Sequence, residues 1–381
     1  MVDHRIVGSE EAMRVVAGFG LGGRADSEPV SVASGESGAF VGKLCGEKLT
    51  GLAIAAMDGG VLELSAEGIE TLLERHRRAM ASCLRIEERL LEVDDRFDRA
   101  GIDYVVLKGA AVAHTAYPDP SLRDFGDLDV LVRGREFKGA CLVLREMGFQ
   151  RVVPEPRRGF DERFGKAATH RHRDDSIEID LHRTLVLGPF GLWMAPEVLL
   201  DRAVSFLLGG RRIPRLDDTG TLLSVAMHAT LGWPPRLVPL RDVLQVSRVM
   251  DVDRAMLAAW AREWRLSAVL SHAFSTAGAL LDAEAVVESP MPLELRPRRG
   301  EARALKAYVG ERRAMGGTAV STLLAIPGLW RKAAYVRALV FPGREFLQSR
   351  YPNGSKGYRR RLAMPGRWTW RRLAAVRSKE S

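Results

Sequence analysis

Residues 107–132 read LKGAAVAHTAYPDPSLRDFGDLDVLV. The stretch ends in Asp127 and Asp129 alternating with apolar residues, the pattern of a strand whose i and i+2 side chains share one face. Two carboxylates held side by side repel each other unless a cation lies between them, and a hard divalent ion such as Mg²⁺ takes oxygen ligands of this kind. The pair therefore predicts a metal site for Mg²⁺, with Mn²⁺ as the alternative ion.

A lone Asp-x-Asp is more often a solvated turn, so its context matters. Upstream, residues 103–107 (DYVVL) have the β-branched, apolar composition of a buried strand and run into Lys108-Gly109 and a small-residue helix from Ala110 to about Tyr117. Glycine lets phosphate approach the backbone, the helix N-terminus adds a partial positive charge and Lys108 a full one, and Arg123 lies four residues before Asp127. Lys108, Gly109 and Arg123 are the expected phosphate-binding residues. Pro118 and Pro120 end the helix and return the chain to the second strand. A crossover helix over residues 135–147, closed by Gly148, a strand over 149–153 and a second acidic strand, IEIDL at 177–181, follow.

These residues carry a resemblance. The run from Leu107 to Val132, the apolar helix after it and IEIDLHRTL from Ile177 resemble the uncharacterised bacterial nucleotidyltransferases of the polymerase-β-like superfamily. The resemblance spans residues 85–185 and continues more loosely to FPGREFLQSRYP near the end. It implies a mixed α/β core that binds MgNTP, with Gly109 at the phosphate turn, Asp127 and Asp129 as the first two carboxylates and the third from the strand at 177–181. There Glu178, Asp180 and His182 alternate on one face, and Asp180, flanked by Ile179 and Leu181, is the favoured third ligand. Two departures stand out. Lys108-Gly109-Ala110 replaces the usual glycine-serine turn and offers no hydroxyl, and 17 residues separate Gly109 from Asp127, a longer spacing than is common.

Working outward, 381 residues with 46% hydrophobic content suit several domains with sizeable cores. The expected division is 1–47 as a loosely packed segment with one helix near residues 10–17, 48–100 as a helical region, 101–216 as the catalytic core, 217–330 as a helical substrate domain and 331–381 as a basic tail. Ser65 is the expected N-cap of a long helix reaching Ala100. The link at 154–175, with Arg157, Arg158, Lys166, His170, Arg171, His172 and Arg173, reads as an active-site loop. On the helices beyond, His228 and Asp242 read first as satisfied core groups, with a role in the cleft as the alternative.

From Arg331 onward the chain holds 14 Lys or Arg against Glu345 and Glu380, a net charge of +12; the whole chain is +9, so the first 330 residues carry about −3. Aromatic residues including Trp330, Tyr351, Trp368 and Trp370 interleave with these cations, which suits a polyanion such as RNA or an anionic membrane surface. The apolar run at 318–329 contains Pro327 and is too short to span a bilayer, and the first residues lack an apolar signal core. Cys45, Cys83 and Cys141 cannot pair completely and show no zinc spacing, so a reduced cytoplasmic setting is expected.

Other motif matches fail on context. Gly18, Gly20 and Gly23 spell G-x-G-x-x-G without a following apolar helix, and Asp124-Phe125-Gly126 and His172-Arg173-Asp174 occur in the reverse of their order in a kinase. The expected function is metal-dependent transfer of an NMP from an NTP such as ATP to a hydroxyl-bearing acceptor: a small molecule, a peptide, a protein side chain or a tRNA end. The alternative is a catalytically silent nucleotide- or RNA-binding module. Neutralising Asp127 or Asp129 is expected to leave the fold intact and even to relieve repulsion.

Overall fold

In the computed structural model, which describes residues 4–22, 26, 28–232, 236–281, 295–309 and 315–350, the chain opens with a small parallel sheet. Its strands are β1 (Arg5–Ile6), β2 (Val30–Ser31) and β3 (Leu62–Glu63), packed with helices α1 (Ser9–Gly18), α2 (Ser37–Glu47) and α3 (Thr50–Asp58). The expectation that residues 1–47 are loosely packed is thereby corrected. Val16, Phe40, Val41 and Leu44 are fully buried in a core that reaches Leu240 and Leu244. Strands of two residues leave no period in a sequence, and the glycines and serines around them hide the apolar stripe.

Ser65 caps α4 (Ala66–Arg99), its side chain accepting from the Gly68 N–H at 3.2 Å. Leu72, Cys83, Ile86, Leu90, Val93 and Phe97 recur at helical spacing on the buried face, and the helix is unbroken. It delivers the chain to the main sheet.

That sheet is built from β4 (Tyr104–Val106), α5 (Ala110–Ala116), β5 (Leu128–Val132), α6 (Phe137–Glu146), β6 (Phe149–Arg151), α7 (Phe160–Phe164), β7 (Ala167–His172), β8 (Glu178–His182), α8 (Pro189–Trp193), α9 (Pro196–Asp201), β9 (Val204–Leu208) and β10 (Arg211–Arg215). The strand order is β6-β7-β8-β5-β4-β10-β9, with β5 parallel to β8 and antiparallel to β4. The two-residue period divides β5 between two cores. Leu128, Val130 and Val132 join Ile86, Leu90 and Leu144 from α4 and α6, whereas Leu131 joins the core made with the later helices. Asp129 lies between Leu128 and Val130 and so shares the face of Leu131, toward those helices.

The basic link at 154–175 is not an open loop. It contains α7 and most of it from Ala167 is β7, which pairs with β6 and β8 and turns His170 and His172 inward. His172 meets the Phe149 ring edge-on at 4.9 Å, and His170 lies 3.0 Å from the Ala168 carbonyl. Inward positions filled by alanine and histidine do not register as an apolar period, which is why the strand escapes a hydropathy reading.

Burial lowers the His170 pKa to about 4, so the folded protein holds this ring neutral. Because the unfolded value is about 6.5, the stability it contributes is complete above that pH and is lost as pH falls toward 4. Between pH 7.5 and 5 this single group should cost about 2 kcal/mol. Urea unfolding at the two pH values should show at least that loss in the parent, and a loss smaller by about 2 kcal/mol in His170→Gln; equal losses would contradict the neutral buried ring.

Helices α10 (Asp218–Leu231), α11 (Leu237–Val249), α12 (Arg254–Glu263) and α13 (Ser267–Leu280) cover the second face of the sheet. Asp217 caps α10, accepting from Gly220, and Asp253 caps α12, accepting from Met256. Next come α14 (Arg299–Leu305), α15 (Met315–Ala325), α16 (Leu329–Val340) and α17 (Arg344–Arg350). Residues 331–340 and 344–350, expected as tail, are thus helical, with Tyr335, Ala338 and Phe346 buried; Tyr335 stacks on Phe160 at 5.9 Å. The rest of the predicted tail, 351–381, lies outside the described residues. Among the described residues no helix is long and apolar enough to cross a membrane.

Candidate active site

Where β4 ends, Gly109 adopts φ +63°, ψ −117°, a conformation that L side chains rarely take, and turns the chain into α5. Lys108 is carried on the same turn. Its ammonium donates to Asp129 Oδ2 and lies 3.8 Å from Asp127 Oδ2, so it sits between the two aspartates. Burial opposes its charge, but attraction to Asp129 and Asp127 prevails and holds its pKa above the usual lysine value.

The two aspartates are not equivalent. Asp127 precedes β5 with its side chain 38% exposed, whereas that of Asp129 is 2% exposed. Burial alone would raise the Asp129 pKa; Lys108 and His182 outweigh it and hold the carboxyl well below the ordinary value. The expectation that neutralising either residue relieves repulsion is corrected for Asp129, because the lysine already compensates its charge.

The β5–β8 register places Asp180 opposite Asp129. Asp180, Asp129 and His182 form a group whose ligand atoms all lie within 4.8 Å of one another. Thr169 on β7 donates to Asp180 Oδ1 at 2.6 Å, fixing that carboxylate from the far side. Glu178, the competing candidate, instead pairs with Arg171 on the exposed part of the sheet. His182 has Nε2 2.9 Å from Asp129 Oδ1 and Nδ1 3.2 Å from the Thr184 carbonyl. A neutral imidazole donates to only one of these acceptors, and burial, followed by Lys166, lowers its pKa.

Beside this group opens a cavity of about 400 Å³ lined by Lys48, Lys108, Gly109, Arg123, Asp127 and His228, among others. Lys48, in the left-handed conformation after α2, reaches to 4.0 Å from Asp127 Oδ1. Arg236, just before α11, lines the same cavity and donates to the Gly46 carbonyl. Arg123 lines it too, but its guanidinium is bound to Asp242 on α11 at 2.7–3.2 Å, and Tyr117 donates to the same carboxylate. The two polar helix residues singled out in the sequence therefore part ways. Asp242 is a satisfied core group and His228 faces the cavity, its pKa lowered by burial and then by Lys108.

Lys48 and Arg236 carried no signal in the sequence, since each is a single cation on an unremarkable segment far from residues 107–132. Asp124 is a further lining residue: Thr50 donates to its Oδ2 at 2.7 Å, while its buried Oδ1 has no hydrogen-bond partner among the described residues.

Among solved structures, the chain is similar to an antigenic nucleotidyltransferase-like protein from Paracoccidioides brasiliensis, at 15% identity over 55% of this chain and 93% of that one, with a TM-score of 0.35. It is also similar to the lincomycin-bound lincosamide antibiotic adenylyltransferase LnuA, at 15% identity over 43% of this chain and 97% of that one, with a TM-score of 0.31. No curated protein sequence matches the chain. The model of a family described as uncharacterised nucleotidyltransferase matches residues 47–282, more than half of the chain and the whole of this site, and the chain belongs to that family.

Proposed function

We propose that the protein transfers a nucleoside monophosphate from an NTP to a hydroxyl-bearing acceptor and releases pyrophosphate. The observation that carries this reading is the convergence of Asp129, Asp180 and His182 beside a cavity lined by Lys48, Lys108 and Arg236. The donor set fits a divalent cation. Its carboxylates already hold a positive charge, the Lys108 ammonium, and a cation on His182 Nε2 leaves Nδ1–H free to donate to Thr184, the arrangement that orients metal-bound histidines. Asp129 and Asp180, with Asp127 at the mouth, would hold Mg²⁺ or Mn²⁺, which supplies charge stabilisation at the phosphoryl oxygens and acidifies the acceptor hydroxyl.

The protein's own residues do the rest. Lys48 and Arg236 draw the triphosphate into the cavity, and Lys108, released from Asp129, follows its oxygens. Gly109 lets phosphate approach the turn closely, and Arg123 supports the loop that carries Asp127. The acceptor oxygen attacks the α-phosphorus, the bond to pyrophosphate breaks in line, and the acceptor proton passes to a carboxylate, for which Asp180 is the candidate.

One observation favours the second reading, a binding module without catalysis: Lys108 lies against Asp129 and compensates its charge. Incubation with each α-³²P-labelled NTP, Mg²⁺ or Mn²⁺ and a cell extract as acceptor separates the two. Label should move to an acceptor with the parent protein, fall by at least about a hundredfold in Asp180→Asn, and stay within a few-fold in Glu178→Gln. Nucleotide binding without transfer in the parent would establish the module instead, and full activity in Asp180→Asn would hand the third carboxylate to Glu178.

A further inference from the structure

Helices α15 and α16 adjoin outside the catalytic sheet, and their outer face carries several exposed large apolar side chains. Tyr335 and Ala338 turn inward onto Phe160 and Phe164. On the opposite side of α16, Leu329, Ala333 and Val336 recur at helical spacing beside Trp330, and Val320 and Leu324 extend the surface along α15. Trp330 is 89% exposed and Leu329 83%. Isolated surface leucines need no explanation, but large apolar side chains gathered on two neighbouring helices mark an interaction surface.

Its electrostatics identify the partner. The groove between the helices is lined by Lys332, Arg337 and Arg157 as well as Leu324 and Val336, and Arg331 is adjacent. From Arg312 to Arg350 the sequence contains one acid, Glu345, against seven Lys or Arg. A second copy of this surface would bring cations against cations. The segment from 351 to 381 would do the same, with nine Lys or Arg and only Glu380. A nucleic acid satisfies the cations but offers its phosphates nothing for the aliphatic groups of Val320, Leu324, Leu329 and Val336.

We infer that the outer face of α15 and α16 docks the protein on an anionic lipid surface, with Leu329 and Trp330 entering the boundary between headgroups and acyl chains and Arg331, Lys332 and Arg337 resting on the phosphates. This inference is independent of the reading of the active site.

Co-sedimentation of the full chain with phosphatidylcholine vesicles, and with vesicles in which phosphatidylglycerol replaces part of the phosphatidylcholine, tests it. Binding should be confined to the anionic vesicles and should weaken as salt is raised. The double substitution Leu329→Ser, Trp330→Ser leaves the charge unchanged and, on exposed positions, the thermal unfolding also; it should weaken binding at least about tenfold, since two large side chains no longer enter the interface. Replacing Arg331, Lys332 and Arg337 by glutamine should weaken it comparably and flatten the salt dependence. Vesicle binding unaffected by the Leu329, Trp330 pair would overturn the inference and leave the charge of 351–381 as the cause. A single-stranded RNA or a self-associated dimer lost on the same substitution, with no vesicle binding in the parent, would overturn it in favour of that partner.

Discussion

Asp129→Asn should reduce nucleotidyl transfer by about a thousandfold or more and also destabilise the protein, whereas Asp127→Asn should impair transfer while leaving stability within about 0.5 kcal/mol of the parent. The difference comes from what surrounds each carboxylate. Asp129 is buried, accepts from Lys108 and faces His182 at 2.9 Å, so its neutral amide leaves a buried ammonium with only Asp127 beside it. Breaking a buried pair from one side costs about 3 kcal/mol or more, much of it the desolvation of the stranded partner. Asp127 is more than one-third exposed and its contacts with Lys48 and Lys108 are 4.0 and 3.8 Å long, within reach of solvent screening. Urea unfolding in the presence of a chelator reads the stability difference, and labelled-NTP transfer reads the activity. Equal stabilities of the two variants would mean that Lys108 does not reside on Asp129.

This asymmetry also shows how far the sequence could be read. The alternation of residues 127–132 and the glycine after residues 103–107 were sufficient for the strand, the turn and the short helix between them, because each rests on local spacing. The same local logic gave α4 its Ser65 cap and set Asp180 on a strand, whereas its place beside the first acidic strand came only from the family resemblance. It could not reveal that Lys108 would occupy the space between the aspartates, since that depends on how β4 and β5 pair. Nor could it find Lys48 and Arg236, which reach the cavity only because α2 packs on α3 and α4 and shares an apolar core with Leu240 and Leu244 of α11.

The missed elements share a cause. β7 points Ala168, His170 and His172 inward, so its buried face looks polar, and the N-terminal strands are only two residues long. Hydropathy reports side-chain character, and here the partners of the side chains decide burial.

Arg123 is where the sequence expectation and the packing most need to be separated, and breaking its pair with Asp242 should have the largest effect on stability of any substitution considered. The guanidinium and the carboxylate are both buried, joined through Nε and Nη2, and Tyr117 donates to the same carboxylate. Attraction to Asp242 outweighs burial and keeps the arginine charged. Asp242→Asn therefore leaves an uncompensated buried cation and should cost about 3–5 kcal/mol. The double variant Arg123→Met, Asp242→Leu removes both charges from an apolar setting and should recover most of that loss, since a buried ion pair replaced by apolar groups of similar size is often neutral. The recovered protein then isolates the role expected of Arg123 as a phosphate-binding residue. If the guanidinium only ties the loop before Asp127 to α11, NTP affinity measured by calorimetry should return with stability. If it also meets the triphosphate in the cavity it lines, affinity should stay at least about tenfold weaker in a protein that unfolds as cooperatively as the parent, the loss expected for one charge-assisted contact.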